Sequence, residues 1–132
     1  MRKEKVLIVE DNPQNMKLLE MLLRAKDYIL LKAYDGEEAL AMAIREQPDL
    51  IVMDMQLPKM SGLEVTKQLR QTLVFSHTPI IALTAYAMKG DKERFLEAGC
   101  NAYLSKPIST RELPVIIEQM LQEHGKKVLR AV

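Results

Sequence analysis

The chain has 132 residues, one cysteine, no tryptophan, and 19 lysines and arginines against 18 aspartates and glutamates. That length suits one domain burying roughly two thirds of its unfolded surface; the balanced charge excludes a domain-wide basic footprint for nucleic acid, and the lone Cys100 excludes a disulfide framework or a Cys-x-x-Cys motif. No apolar run approaches the ~18 residues of a membrane span and no signal peptide is visible, so the expectation is a cytoplasmic single domain over 1–132, with its core over about 4–123 and a short basic tail over 124–132.

The first apolar run, KVLIV at 5–9, reads as a strand closed by the acidic pair Glu10 and Asp11. Asn12 is placed to cap a helix with Pro13 at its first position, where a missing N–H costs nothing. That helix is expected to run to about Lys26, with Leu18, Leu19 and Leu22 as its apolar stripe. Met16 and Leu23, about 20° apart on the helical wheel, fall off this stripe and either widen the core or form an apolar patch for a partner. YILLKAY (28–34) is a second strand. Asp35, with Glu38 three residues on, caps a second helix whose stripe is Leu40, Ala43 and Ile44 and which Pro48 ends.

Residues 50–54, LIVMD, form a third strand, continuously apolar until Asp54, as in a strand buried on both faces. Ser61 and Glu64 have capping-box spacing before a third helix to about Thr72. PIIALT (79–84) is a fourth strand, and the helix after it ends where Gly99 suits a C-terminal cap. AYLS (102–105) is the fifth strand. Ser109 and Glu112 repeat the capping-box spacing, and Val115, Ile116 and Met120 carry the last helix. Pro114 falls about five positions into that helix, so the helix either starts late or kinks. The terminal HGKKVLRAV lacks a stripe and reads as a frayed tail rather than a nucleic-acid arm.

Strands alternating with single helices call for right-handed crossovers, hence a parallel sheet covered on both faces. Ligands of such sheets gather outside the carboxyl ends of the strands. Glu10 and Asp11 follow the first strand, Asp54 ends the third, Thr84 ends the fourth, and Lys106 and Pro107 follow the fifth; the second offers only Tyr34 and Asp35. Singly, each has an ordinary explanation as a solvated turn, a loop cap or a wet lysine. Their coincidence at four strand ends points to a site. Two unit charges ~4 Å apart repel by about 4 kcal/mol at the effective dielectric near a protein surface, so three gathered carboxylates call for a cation or a shared proton, and a cation fits best. Oxygen donors favour a hard divalent ion such as Mg²⁺, and the absence of His and Cys argues against zinc. Between such an ion and Lys106, Asp54 is suited to act as a nucleophile toward a phosphoryl group, with Thr84 as a hydrogen-bond donor.

VLIVEDNPQN, DLIVMDMQLPKMSGLEV, PIIALTA and AYLSKPI resemble, in order and spacing, the receiver domain of bacterial two-component response regulators. The resemblance covers about residues 4–123 and is closest to single-domain DivK-like regulators; receivers excised from hybrid histidine kinases look similar. It implies a flavodoxin-like, doubly wound α/β fold, five parallel strands in the order 2-1-3-4-5 with five helices. The strand-end rule used above was drawn partly from this family. Asp54 would be the phosphoacceptor, taking its phosphoryl group from a histidine kinase or histidine phosphotransfer protein. Glu10, Asp11, Asp54 and the backbone carbonyl of Gln56 would hold Mg²⁺, with Mn²⁺ able to replace it in vitro; no organic cofactor is expected. Lys106 would pair with the phosphoryl group, Thr84 would follow it, and Tyr103 would turn inward as the switch aromatic, although an aromatic in such a strand is ordinarily packing. The Lys106–Pro107 peptide would be cis, which is uncommon enough to need a reason.

The output would be a rearranged face of helix four, strand five and helix five that controls a downstream protein, with no direct nucleic-acid or membrane partner. Docking on the first helix in this family favours the patch reading of Met16 and Leu23. Gln56 and Tyr86 occupy positions that influence phosphoryl lifetime. Catalysis would be limited to self-catalysed phosphoryl acceptance and slow autodephosphorylation. Two rivals are weaker. A phosphatase with an Asp nucleophile wants a carboxylate where Gln56 stands, and a flavin-binding electron carrier wants a phosphate loop where EDNPQN brings negative charge.

Overall fold

The computed structural model describes residues 3–85 and 88–131, the last seven of these as backbone alone, so Tyr86 lies outside the described residues. Five strands, β1 (Lys5–Val9), β2 (Ile29–Ala33), β3 (Leu50–Asp54), β4 (Ile80–Thr84) and β5 (Ala102–Ser105), alternate with α1 (Pro13–Arg24), α2 (Gly36–Glu46), α3 (Gly62–Arg70), α4 (Asp91–Ala98) and α5 (Glu112–Ala131). The sheet is wholly parallel, in the order β2-β1-β3-β4-β5.

Strand alternation divides the core into two layers. Leu7 and Val9 of β1, Ile51 and Met53 of β3, and Ile80 and Ala82 of β4 face one layer, with Ala39, Val65, Leu69 and Phe95 from α2, α3 and α4. Val6, Ile8, Leu50, Val52, Ile81 and Leu83 face the other, with Met16, Leu19 and Leu23 of α1 and Leu113, Ile117 and Leu121 of α5. The three inner strands are therefore apolar through their middles, with polar residues only at their ends (Lys5, Asp54, Thr84), whereas the outer strand β2 keeps Ile29 and Lys32 exposed.

Helix starts follow their caps. Asn12 Oδ1 accepts from the Gln14 and Asn15 N–H groups at 2.9 and 3.0 Å, with Pro13 opening α1. Asp35 Oδ1 accepts from Glu38 N–H at 2.8 Å, and Ser61 Oγ from Glu64 N–H at 3.2 Å. Ser109 Oγ accepts from Arg111 and Glu112 N–H at 3.3 and 3.0 Å, yet α5 begins only at Glu112. Pro114 is thus the third residue of the helix, in the first turn, where its missing N–H has no intrahelical partner to lose.

Three expectations change. Met16 and Leu23 are core, 1 % and 0 % exposed, while Leu18 and Leu22 are only partly buried: the buried stripe is 16-19-23, and no docking patch is made by Met16 and Leu23. α3 stops at Arg70, and residues to 75 form a separate 3₁₀ turn (Leu73–Phe75) that inserts Phe75 into the core. The backbone of α5 continues to Ala131, through most of the segment expected to fray.

Arg70 joins the end of α3 to the chain on either side of β4. Its Nε and Nη2 donate to the Gly99 carbonyl at 3.0 and 2.8 Å, Nη2 also to Asn101 Oδ1 at 2.9 Å, and Nη1 to the Phe75 carbonyl. Gly99 holds φ 117°, a left-handed conformation that ends α4, and a β-carbon there would lie 2.6 Å from Arg70 Cγ. Burial pulls the Arg70 guanidinium below its ordinary pKa, with Cys100 opposing. Cys100 itself is buried, its thiol 3.9 Å from Thr66 Oγ1 and pushed up by burial. Among the described residues no helix is long and apolar enough to cross a membrane.

Candidate functional site

The carboxyl ends of β1, β3, β4 and β5 bring their polar residues to one edge of the sheet. Glu10, at the end of β1, is fully buried, and its backbone N–H donates to the Ala33 carbonyl at 3.1 Å. Asp54 is the last residue of β3 and is 1 % exposed. The chain then turns tightly: Gln56 N–H donates to Asp54 Oδ1 at 2.9 Å, and Gly62 N–H to the Met55 carbonyl at 3.3 Å. A β-carbon on Gly62 would sit 2.3 Å from the Asp54 carbonyl oxygen, so glycine is what lets α3 begin directly against the site.

Lys106 crosses the top of the sheet. Its Nζ donates to Glu10 Oε1 at 2.8 Å and to Asp54 Oδ2 at 3.0 Å, with the lysine side chain only 16 % exposed. Its backbone N–H donates to the Thr84 carbonyl at 2.7 Å, and the peptide to Pro107 is cis. Burial works to pull the ammonium down, but its hydrogen bonds to Glu10 and Asp54, with the charges of those carboxylates, outweigh it and leave the Lys106 pKa raised. The remaining oxygen of Glu10 accepts from Asn12 N–H at 3.2 Å, tying the site to the start of α1.

Asp11 is exposed, and one carboxylate oxygen each from Glu10, Asp11 and Asp54 lie within 4.8 Å of one another. All of these donors are oxygens, and three carboxylates face one ammonium. That set fits a hard divalent cation and offers nothing to a thiophilic one. Thr84 is fully buried at the end of β4. Tyr103 is half-buried on β5, its ring 5.7 Å from that of Phe95 on α4 and tilted by 32°. Asp35, the acid that ends up outside the cluster, caps α2 and pairs with Lys59 at 3.4 Å.

From sequence, Gln56 has a backbone role at the metal and a position that influences phosphoryl lifetime, with no partner for its side chain. Its side chain spans the site as well: Nε2 donates to Thr84 Oγ1 at 2.8 Å and Oε1 accepts from Ala85 N–H at 3.1 Å. No local pattern announces a contact between residues 28 and 29 positions apart.

The model of the response regulator receiver domain matches residues 6–118. This chain belongs to the receiver domain family of two-component signalling. The receiver domain is 55 % identical over 104 residues to the polar-differentiation response regulator DivK of Brucella anthropi, a match spanning 79 % of this chain and 85 % of that protein. Among solved structures, it is similar to the receiver domain of sensor histidine kinase PA1611 from Pseudomonas aeruginosa PAO1. That likeness has TM-score 0.84 and 39 % identity over 92 % of this chain and 99 % of the other, and the Pseudomonas structure has a magnesium ion coordinated in its active site cleft. A CheY-like receiver domain protein from Methanospirillum hungatei JF-1 gives TM-score 0.88 at 28 % identity, covering 96 % and 99 %.

Proposed function

We propose that this receiver domain is a phosphorylation-dependent switch in which Asp54 accepts a phosphoryl group from the phosphohistidine of a histidine kinase or histidine phosphotransfer protein. The observation that carries the reading is Asp54 itself: a carboxylate 1 % exposed at a strand end, held 3.0 Å from the Lys106 ammonium beside two further carboxylates. An Asp54 oxygen attacks phosphorus, the P–N bond breaks, and its electron pair returns to the imidazole ring, leaving an acyl phosphate on Asp54. The Lys106 ammonium, already hydrogen-bonded to Asp54, neutralises charge on the transferring oxygens.

Glu10, Asp11, Asp54 and the Gln56 carbonyl would hold Mg²⁺, or Mn²⁺ in vitro. Bound there, the divalent ion offsets the carboxylate repulsion and the negative charge of the phosphoryl group. Thr84 then follows the phosphoryl group and Tyr103 turns inward, which biases the face formed by α4, β5 and α5 toward one of two arrangements. A downstream protein bound to that face responds only as far as its affinities for the two arrangements differ.

Intact mass after incubation with acetyl phosphate tests the reading, with Mg²⁺ and with excess chelator, on wild type and Asp54→Ala. The expected result is a Mg²⁺-dependent gain of one phosphoryl group in wild type alone. Phosphorylation that persists in Asp54→Ala sinks the assignment.

A further inference from the structure

The Gln56 carboxamide occupies one donor that a phosphoryl group on Asp54 would use, the Ala85 N–H, and holds Thr84 by its hydroxyl oxygen. Its orientation is fixed by chemistry: Ala85 N–H can be met only by the carboxamide oxygen, which leaves the amide nitrogen to donate to Thr84 Oγ1. The two oxygens of Asp54 are divided between neighbours, Oδ2 to Lys106 and Oδ1 to the backbone N–H of Gln56. Gln56 meets Oδ1 through its backbone N–H and meets Thr84 and Ala85 through its carboxamide, so its side of the site is the one that joins Asp54 to the end of β4. A phosphoryl group presents only acceptor oxygens, so on this side it needs N–H and O–H donors. The Ala85 N–H already has an acceptor, the Gln56 Oε1, and the Thr84 hydroxyl is held by the Gln56 amide.

We propose that the Gln56 side chain is a latch: in the unphosphorylated domain it stands in for the phosphoryl oxygens at Ala85 N–H, ties Thr84 Oγ1 to the β3–α3 turn, and must release both before Ala85 N–H donates to the phosphoryl group and Thr84 moves toward it. The proposal rests on Asp54 being the phosphoryl acceptor. Gln56 is a positioning residue, since it acts through Thr84 and Ala85. Two neutral hydrogen bonds of ordinary net strength correspond to roughly tenfold to a hundredfold in an equilibrium. A ligand that binds only the unlatched state loses apparent affinity by the fraction of molecules that are latched. The latch thus sets how readily the switch turns on, independently of the charge chemistry at Lys106.

The probe is beryllofluoride, a non-covalent phosphoryl mimic, titrated calorimetrically at saturating Mg²⁺ so that metal affinity does not enter. Gln56→Met keeps the length of the side chain and removes both hydrogen bonds; Gln56→Asn, one methylene shorter, cannot span both partners and serves if the methionine variant does not fold. Exchange of the Ala85 amide hydrogen in the free protein is measured alongside. The latch predicts about tenfold tighter beryllofluoride binding in the variant and Ala85 exchange at least fivefold faster. Binding of equal or lower affinity in the variant, with wild type binding normally, overturns the latch and leaves Asp54 as the acceptor. No Mg²⁺-dependent binding in wild type overturns the acceptor role and the latch together.

Discussion

Two half-buried cations, Lys106 and Arg70, hold loops together at different places in the fold, and they do it with opposite chemistry. Lys106 faces carboxylates, two of them within 3.0 Å and a third in the same cluster. Among the described residues Arg70 donates only to neutral acceptors, the carbonyls of Phe75 and Gly99 and the amide of Asn101. Correspondingly, the Lys106 pKa is raised by its partners and that of Arg70 is lowered by burial. The guanidinium fork spreads its donors over uncharged acceptors and so gathers no excess negative charge for a cation to offset. The ammonium under-neutralises its surroundings, so its site keeps a demand for more positive charge. A clamp is balanced; a site is left unbalanced.

The largest way to break that contrast is Lys106→Met. It strands a fully buried Glu10 and is expected to cost about 3 kcal/mol in chelator. Saturating Mg²⁺ should recover much of that loss, and the Mg²⁺ dissociation constant should fall because a competing cation is gone. Urea denaturation with and without metal, together with calorimetric Mg²⁺ titration, measures both. Arg70→Met is expected to cost about 2 kcal/mol by removing its donors from the Gly99 and Phe75 carbonyls, in the same urea experiment, with no recovery from Mg²⁺. A Mg²⁺-dependent deficit in Arg70→Met would erase the distinction between clamp and site.

Asn12→Ala, which removes a helix cap beside Glu10, should cost about 1 kcal/mol in thermal or urea unfolding. The smallest effect is alkaline. Because the folded Lys106 pKa lies above its ordinary 10.5, the unfolded chain sheds that proton first. Its contribution is therefore fully present below pH 10.5 and is lost as pH rises through the folded value. Thermal midpoints of wild type and Lys106→Met should converge over that range, and parallel curves would show that the lysine carries no such linkage.

Much of the fold was legible because its signals are local. Cap residues mark where helices start, and continuous apolar runs mark strands buried on both faces. The acidic cluster was legible for a topological reason, since strand ends in a parallel sheet share one edge. Helix rotation was less so: Leu18 and Leu22 look more apolar than Met16, but which side of α1 meets the sheet depends on the sheet, and 16-19-23 is the stripe that fits it. The reach of Arg70 to residues 99 and 101, and of the Gln56 carboxamide to β4, are contacts between distant loops. Side chains of those types at those positions read as solvated until the loops are seen together.

The position of β1 has a consequence for how the chain assembles. It lies between β2 and β3, paired to Leu50–Met53 along one side. During synthesis, a chain that has reached only the end of α2 can form β1, α1 and β2, but the apolar strand Val6–Val9 still presents an unpaired edge. Such an edge is a template for pairing with other chains. Roughly the first third of the molecule is thus committed to waiting for residues 50–54. The strand that closes this open edge ends in Asp54, so the same pairing that makes the nascent chain safe also installs the site's central carboxylate.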